Sequence, residues 1–174
     1  MILLGNAISL AASLVMVAIG LIKTKKNIVL AQCGQFALHS AANFVLGGYM
    51  GMVTNLISIA RNLICLKWEF DLKFKLLFSV LQIGLAAFTN SERIIGWLPA
   101  ASALVLTWFL DCRDEIVLKA VFIFGQVLWA FYDINHQNYM GVLFDMFSLA
   151  TLIIGIRMIL KDRRSSERDA GIKQ

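Results

Sequence analysis

Seven apolar stretches dominate the chain, and each is about as long as a bilayer is thick. They run roughly over 2–22, 28–46, 49–66, 73–89, 94–111, 116–132 and 139–160. A helix needs about 20 apolar residues, rising 1.5 Å each, to cross about 30 Å of hydrocarbon. Seven such helices consume nearly all of the 174 residues. Only turns and a basic tail at 161–174 are left, so no length remains for a soluble domain. With 59% hydrophobic and 16% charged residues, a water-soluble fold could not cover its own apolar surface. One Pro and few polar loops also exclude a disordered or low-complexity chain. The expected class is an all-α integral membrane protein with seven transmembrane helices.

Charge orients the helices. With the N-terminus outside and the C-terminus inside, fourteen of the sixteen Lys and Arg residues, from Lys23 to Lys173, fall on the inner side. Arg93 alone falls outside, and Arg61 lies within a span. That asymmetry is the positive-inside pattern. Removing the fourth span would put the later bases on the wrong face. The net charge of +5 is therefore topogenic. No basic patch with interleaved aromatics is present, which excludes a nucleic-acid partner. Lys23, Lys25 and Lys26 follow the first apolar run instead of preceding it. A cleaved signal has the opposite order, so that run is expected to be an uncleaved span.

A pattern in the second and third spans returns about 90 residues later. Gly34-Gln35 is echoed by Gly125-Gln126, and Tyr49-Met50-Gly51 by Tyr139-Met140-Gly141. Asp145 falls where Asn55 does, and Ser148 where Ser58 does. Leu4-Gly5 matches Ile95-Gly96, and Ile28-Val29-Leu30 matches Ile116-Val117-Leu118. These blocks imply a three-helix repeat at 1–66, a linker helix with its turns at 67–91, and a second repeat at 92–160. A single linker span keeps both copies in the same orientation, related by an axis along the membrane normal.

Within the spans, polar residues recur at helical spacing. Gln32, Gln35, His39 and Asn43 form one stripe; Asn55, Ser58 and Asn62 form another, with Arg61 beside them. Asn6, Ser9 and Ser13 align in the first span. Gln126, Trp129 and Asp133 align in the sixth, and Asp145, Ser148 and Thr151 in the seventh. Lipid cannot satisfy such groups, so the stripes should face inward. Counting along the spans puts His39, Ser58, Gln126 and Ser148 near the midplane. Asn55 and Asp145 lie slightly outward and Arg61 slightly inward. Polar groups from both halves at mid-depth form the layout of a solute site. The candidate binding residues are Asn55, Asp145, His39, Gln126, Trp129 and Ser58, with Pro99 as a hinge bending the fifth span.

Each of these has a plainer reading. Ser, Asn and Gln also bond helix to helix, at about 0.6 kcal/mol on average. His39 is either a titrating group coupled to protons or a neutral core histidine. Arg61, one turn from the inner end, is within snorkelling reach of the interface, but a structural role is the expectation for it. Trp97 and Tyr132 are expected to anchor the outer interface. Asp145 is the sharpest signal, because an ionised carboxylate in a span costs about 2.5–3.5 kcal/mol or more.

Motifs for catalysis are absent from the sequence: no HExxH, nucleophile elbow or Walker loop occurs. His39 and His136 are the only histidines, too few for a His-rich metal site. Cys33, Cys65 and Cys112 are scattered, with no CxxC pair, and read as small core residues. The charged run from Asp111 to Glu115 reads as a solvated turn. No enzyme activity, cofactor or metal is expected.

His39, the LGGYMG turn, the run Ile59-Ala60-Arg61-Asn62-Leu63-Ile64, Thr107-Trp108-Phe109-Leu110, Trp129 and the IGIRM segment before the basic tail resemble the YgjV family of bacterial inner-membrane proteins. The resemblance covers most of the chain and implies an inner-membrane location more than an activity. The three-plus-one-plus-three order also resembles, at the level of fold, the SWEET sugar facilitators and PnuC-type vitamin-precursor transporters. In SWEETs an Asn on the third helix of each repeat lines the pocket. Asn55 matches that position, whereas the second copy carries Asp145. SWEET prolines occur in both repeats, but only Pro99 is present here.

The reading that follows is a transporter or facilitator of a small polar solute in the bacterial inner membrane. The alternative is a non-transporting accessory, sensor or receptor protein with the same bundle. The expected partners are the lipid bilayer and a small solute, and a homo-oligomer is compatible with both readings.

Overall fold

The computed structural model describes residues 1–19, 25–68, 70–109 and 114–171. Among them are seven helices: α1 (Ile2–Ile19), α2 (Lys25–Leu46), α3 (Tyr49–Cys65), α4 (Leu72–Thr89), α5 (Trp97–Phe109), α6 (Glu115–Asn135) and α7 (Tyr139–Gly171). Each coincides with one of the apolar stretches. By length and composition, α4, α6 and α7 each contain a segment able to cross a membrane. Lys23, the segment 111–113 with Cys112 and Arg113, and Lys173 lie outside the described residues.

Local chemistry sets the ends. Asp71 Oδ1 accepts from Lys73 N and Phe74 N at 3.1 and 3.2 Å and starts α4. Asp114 Oδ1 accepts from Ile116 N at 2.9 Å and starts α6. Such caps satisfy amides that no helical carbonyl can reach. The Ile116 amide is also the main reason that the Asp114 carboxyl is held below its ordinary range, with Arg163 adding to the effect. The charged run beginning at Asp111 is therefore not all turn, since its last residue already belongs to α6.

Two boundaries depart from the sequence expectation. The fifth span was expected from 94, but α5 begins at Trp97. Pro99 thus stands in its first turn, where the missing N–H is one no helical carbonyl would accept. The bend expected there is unnecessary. The tail after residue 160 is not irregular; α7 continues to Gly171. Hydropathy ends with the membrane, but Lys, Arg and Glu are good helix formers and carry the helix onward. Arg163 on this extension lies 3.4 Å from Asp114 Oδ1. Both are about half exposed, so solvent screens the pair and it adds little to stability.

The turns α2–α3 and α6–α7 are the same structure, 90 positions apart. Gly47 N bonds Phe44 O at 3.2 Å, and Gln137 N bonds Ile134 O at 3.2 Å. Gly48 N bonds Asn43 O at 2.8 Å, and Asn138 N bonds Asp133 O at 2.9 Å. Gly47 and Gln137 both have positive φ, +82° and +56°. In both hairpins a glycine then lets the helices close. A Cβ on Gly51 would lie 2.6 Å from Asn43 Nδ2, and one on Gly141 would meet Asp133 and Asn138. The Gly34 and Gly125 echo does not extend to packing. A Cβ on Gly125 would reach Ser102 Oγ at 2.8 Å, whereas Gly34 faces open space.

Packing closes the chain on itself. α1 packs on α2 and α2 on α3; α5 packs on α6 and α6 on α7; α3 meets α5, and α7 meets α1. Six helices therefore form a ring, with α4 bridging α3 and α5 from outside. Gln82 of α4 donates to Thr54 Oγ1 at 2.9 Å, and Ser79 accepts from Trp108 Nε1 at 3.0 Å. The other faces of α4 expose Leu76, Val80, Ile83 and Phe88.

Burial is inverted relative to a soluble bundle. The buried apolar residues are mostly alanines, including Ala12, Ala42, Ala100 and Ala103, while many Ser, Asn, Gln and Thr residues are buried beside them. Large apolar side chains such as Leu14, Phe44, Phe131 and Met146 face out. Small residues allow close helix approach where lipid supplies no hydrophobic drive for association.

Candidate functional site: a polar cavity inside the ring

The ring encloses a cavity of about 120 Å³. From the first half, Asn55 and Ser58 of α3 line it, as do His39 and Asn43 of α2. From the second half come Gln126, Trp129 and Asp133 of α6 and Asp145 of α7. The six binding residues expected from sequence thus share one cavity, joined by Asn43, Asp133 and Arg61. A second chamber of about 380 Å³ adjoins it. Gln126 and Trp129 line both. The second chamber is bordered by Gln32, Phe122, Ser148 and Thr151, so Ser148 belongs to this part of the interior. Pro99 is fully buried at the start of α5 and lines neither.

Several groups in the first cavity lack protein partners. Asn43 Oδ1, Asn55 Nδ2, Arg61 Nε, Asp133 Oδ1 and Asp145 Oδ2 are buried without a hydrogen bond. An orphaned buried group costs about 1–3 kcal/mol, more when charged. Native structures reserve that cost for places where water, an ion or a ligand binds. The serines differ: Ser58 Oγ donates to Thr54 O at 2.9 Å and Ser13 Oγ to Ser9 O at 2.8 Å, each within its own helix.

Arg61 does not snorkel. It is 4% exposed, and its Nη1 donates to Thr107 Oγ1 of α5 at 3.2 Å. The α3–α5 contact holds the guanidinium inside the ring.

Tyr132 is not an interface anchor, being wholly buried. Its hydroxyl accepts from Gly51 N at 2.8 Å and donates to Glu92 Oε1 at 3.4 Å. Glu92 Oε1 also accepts from Met50 N at 3.0 Å. Gly48 offers α3 no side-chain cap, so residues of the second half supply one. The second hairpin is treated alike: Asn6 Oδ1 of α1 accepts from Met140 N at 3.0 Å, and Asn138 Oδ1 accepts from Gly141 N at 3.2 Å. His136, which follows α6, packs its ring at a tilt on Tyr132 with ring centroids 4.3 Å apart. Its Nε2 lies 3.5 Å from Glu92 Oε2. Only the third-residue spacing of Asn138 and Gly141 in this network has a local sequence signal.

An apolar exterior around a polar, partly unsatisfied interior defines an α-helical membrane protein with an internal cavity. The model of Imp-YgjV, a family of bacterial inner membrane proteins, matches residues 3–163, and the chain belongs to that family. No curated protein and no solved structure matches it.

Proposed function

We propose that the protein is a transporter or facilitator of a small polar solute, with its site in the cavity between two three-helix repeats. The observation that carries this reading is the set of orphaned polar groups that α2, α3, α6 and α7 direct into one enclosed space. Support for a SWEET-like duplication comes from the identical turns 90 residues apart. It comes also from the ring order, in which the α3–α5 seam corresponds to the α7–α1 seam. All seven helices then span the membrane, with α4 as the linker, the N-terminus periplasmic and the C-terminus cytoplasmic. The one-sided distribution of bases supports that orientation. Asn55, Asp145, His39, Gln126, Trp129 and Ser58 bind the solute. The reading contains no catalytic step. Rocking takes place at the two seams, and Pro99 sets where α5 begins.

The second reading is an accessory or sensor protein, favoured by bonds that tie helices together: Gln82 to Thr54, Arg61 to Thr107, and Asn62 to Gln32. The Asn55→Leu, Asp145→Leu double variant separates the two. Purified protein is screened by thermal shift against sugars, nucleosides, vitamins, amines and amino acids. A ligand at about 100 times its Kd stabilises by about 2.7 kcal/mol. Uptake of any hit is then measured in proteoliposomes. A transporter variant keeps its fold and loses uptake. Loss of expression or melting temperature, with no hit for the wild type, favours the accessory role.

A further inference from the structure

We infer that the cavity takes a zwitterion, a small amino acid with its ammonium group at Asp133 and Asp145 and its carboxylate at Arg61. This rests on reading the cavity as a solute site. Two carboxyls and one guanidinium line the same space. No ion pair joins them among the described residues, and each retains a buried atom without a partner. Asp133 and Arg61 are each 4% exposed, so water outside the protein does not compensate them. Arg61 Nη1 donates to the neutral hydroxyl of Thr107, and its buried Nε has no acceptor.

Position separates the poles. Asp145 and Asn55 are each six residues past the tyrosine that starts their helix, Tyr139 and Tyr49. Arg61 is six residues deeper than Asn55, which puts its Cα about 9 Å further along the axis. Helical side chains lean toward the N-terminus, so Arg61 reaches back toward the carboxyls and shortens that gap. Asn43 Oδ1, 1% exposed and unpartnered, occupies in the first hairpin the position of Asp133 in the second and adds a neutral acceptor for the ammonium group. Asn55 Nδ2 adds a neutral donor between the poles.

The charge balance selects the class. Guanidinium stays charged under all ordinary conditions. A simple amine leaves Arg61 uncompensated, a simple acid leaves the carboxyls unmatched, and a neutral sugar answers neither. Two carboxyls sharing one site hold one proton between them, so the cavity presents one negative and one positive charge. A molecule with one cationic and one anionic end completes both, and buried charges are tolerated when paired.

The experiment is a calorimetric titration of the purified full-length protein in nanodiscs. The first probes are 4-aminobutyrate, butylamine and butyrate, matched in length. A series of unbranched amino acids from glycine to 6-aminohexanoate follows, with sucrose and uridine as neutral probes. The best zwitterion is expected to bind at least about tenfold more tightly than the matched amine or acid, a difference of about 1.4 kcal/mol. Asp145→Asn should remove most of the advantage over butyrate, and Arg61→Gln most of the advantage over butylamine. Because Arg61→Gln also breaks the bond to Thr107, the wild-type triplet decides if that variant fails to fold. Equal binding of butylamine and the best zwitterion overturns the inference in favour of a cation site. Equal binding of butyrate overturns it in favour of an anion site. Binding and uptake of a neutral probe alone overturns it and leaves the transport reading standing. A folded sample that binds and transports none of these probes, nor anything in the wider screen, defeats both.

Discussion

The hairpins α2–α3 and α6–α7 share a backbone and differ in charge. Their turn bonds, positive-φ residues and close-packing glycines correspond at a constant offset of 90. Where the first offers Asn43 and Asn55 to the cavity, the second offers Asp133 and Asp145. The first turn uses two glycines, Gly47 and Gly48; the second holds Gln137 and Asn138. The amides starting α3 depend on Glu92 and Tyr132, both from beyond the linker helix, whereas Asn138 caps part of α7 itself. Hairpin geometry is thus independent of the polar side chains it carries. Each hairpin leans on the other half, the second through Asn6, which bonds both Met140 N and Gln137 O.

The strongest way to break the comparison is Tyr132→Ala. It removes a wholly buried ring and the acceptor for Gly51 N. The expected loss is about 3–5 kcal/mol, read as melting temperature in detergent. Tyr132→Phe keeps the ring, loses the acceptor for Gly51 N and the donor to Glu92 Oε1, and should cost about 1–3 kcal/mol. A loss for Tyr132→Phe as large as that for Tyr132→Ala would mean that the hydroxyl, and not the packing, holds the two halves together.

A smaller effect tests whether the hairpins pack alike. Gly51→Ala and Gly141→Ala each push a methyl into the facing helix and should each cost about 1–3 kcal/mol. Gly34→Ala meets nothing and should stabilise α2 by about 0.5–1 kcal/mol. Similar losses at Gly51 and Gly141, with a gain at Gly34, would sharpen the equivalence. A neutral Gly141→Ala would confine close packing to the first hairpin.

The smallest expected effect concerns the turn itself. Gln137 occupies a left-handed conformation that costs a residue with a side chain about 1–2 kcal/mol. Gln137→Gly should recover about 1 kcal/mol, less the entropy that glycine adds to the unfolded chain, and Gly47→Ala should lose about as much. Chemical denaturation of both variants reads the pair, and equal signs would show that the turns are strained differently.

The sequence by itself determined the membrane class, the seven helices and the polar stripes, including the six residues that share the cavity. Those properties depend on local composition and on a period of 3.6, which a single strand of text displays. The family was legible in the same way, from the His39 stretch and the LGGYMG turn. The stripe of α6 even contained Asp133, although its place beside Asp145 depends on how α6 meets α7. Tertiary structure alone decided which stripes meet. Snorkelling was a conceivable fate for Arg61 because its distance from the helix end was visible, whereas the partner of its structural role, Thr107, 46 positions away, was not. Tyr132 read as an anchor because it lies near a helix end, but the rotation of α6 turned it inward, onto Gly51 and Glu92. The acceptors for Met50 N of α3 and Met140 N of α7 come from residues 42 and 134 positions away. Helix rotation and crossing place such groups, and both are settled by the packing of all the helices at once, with no trace in any one of them.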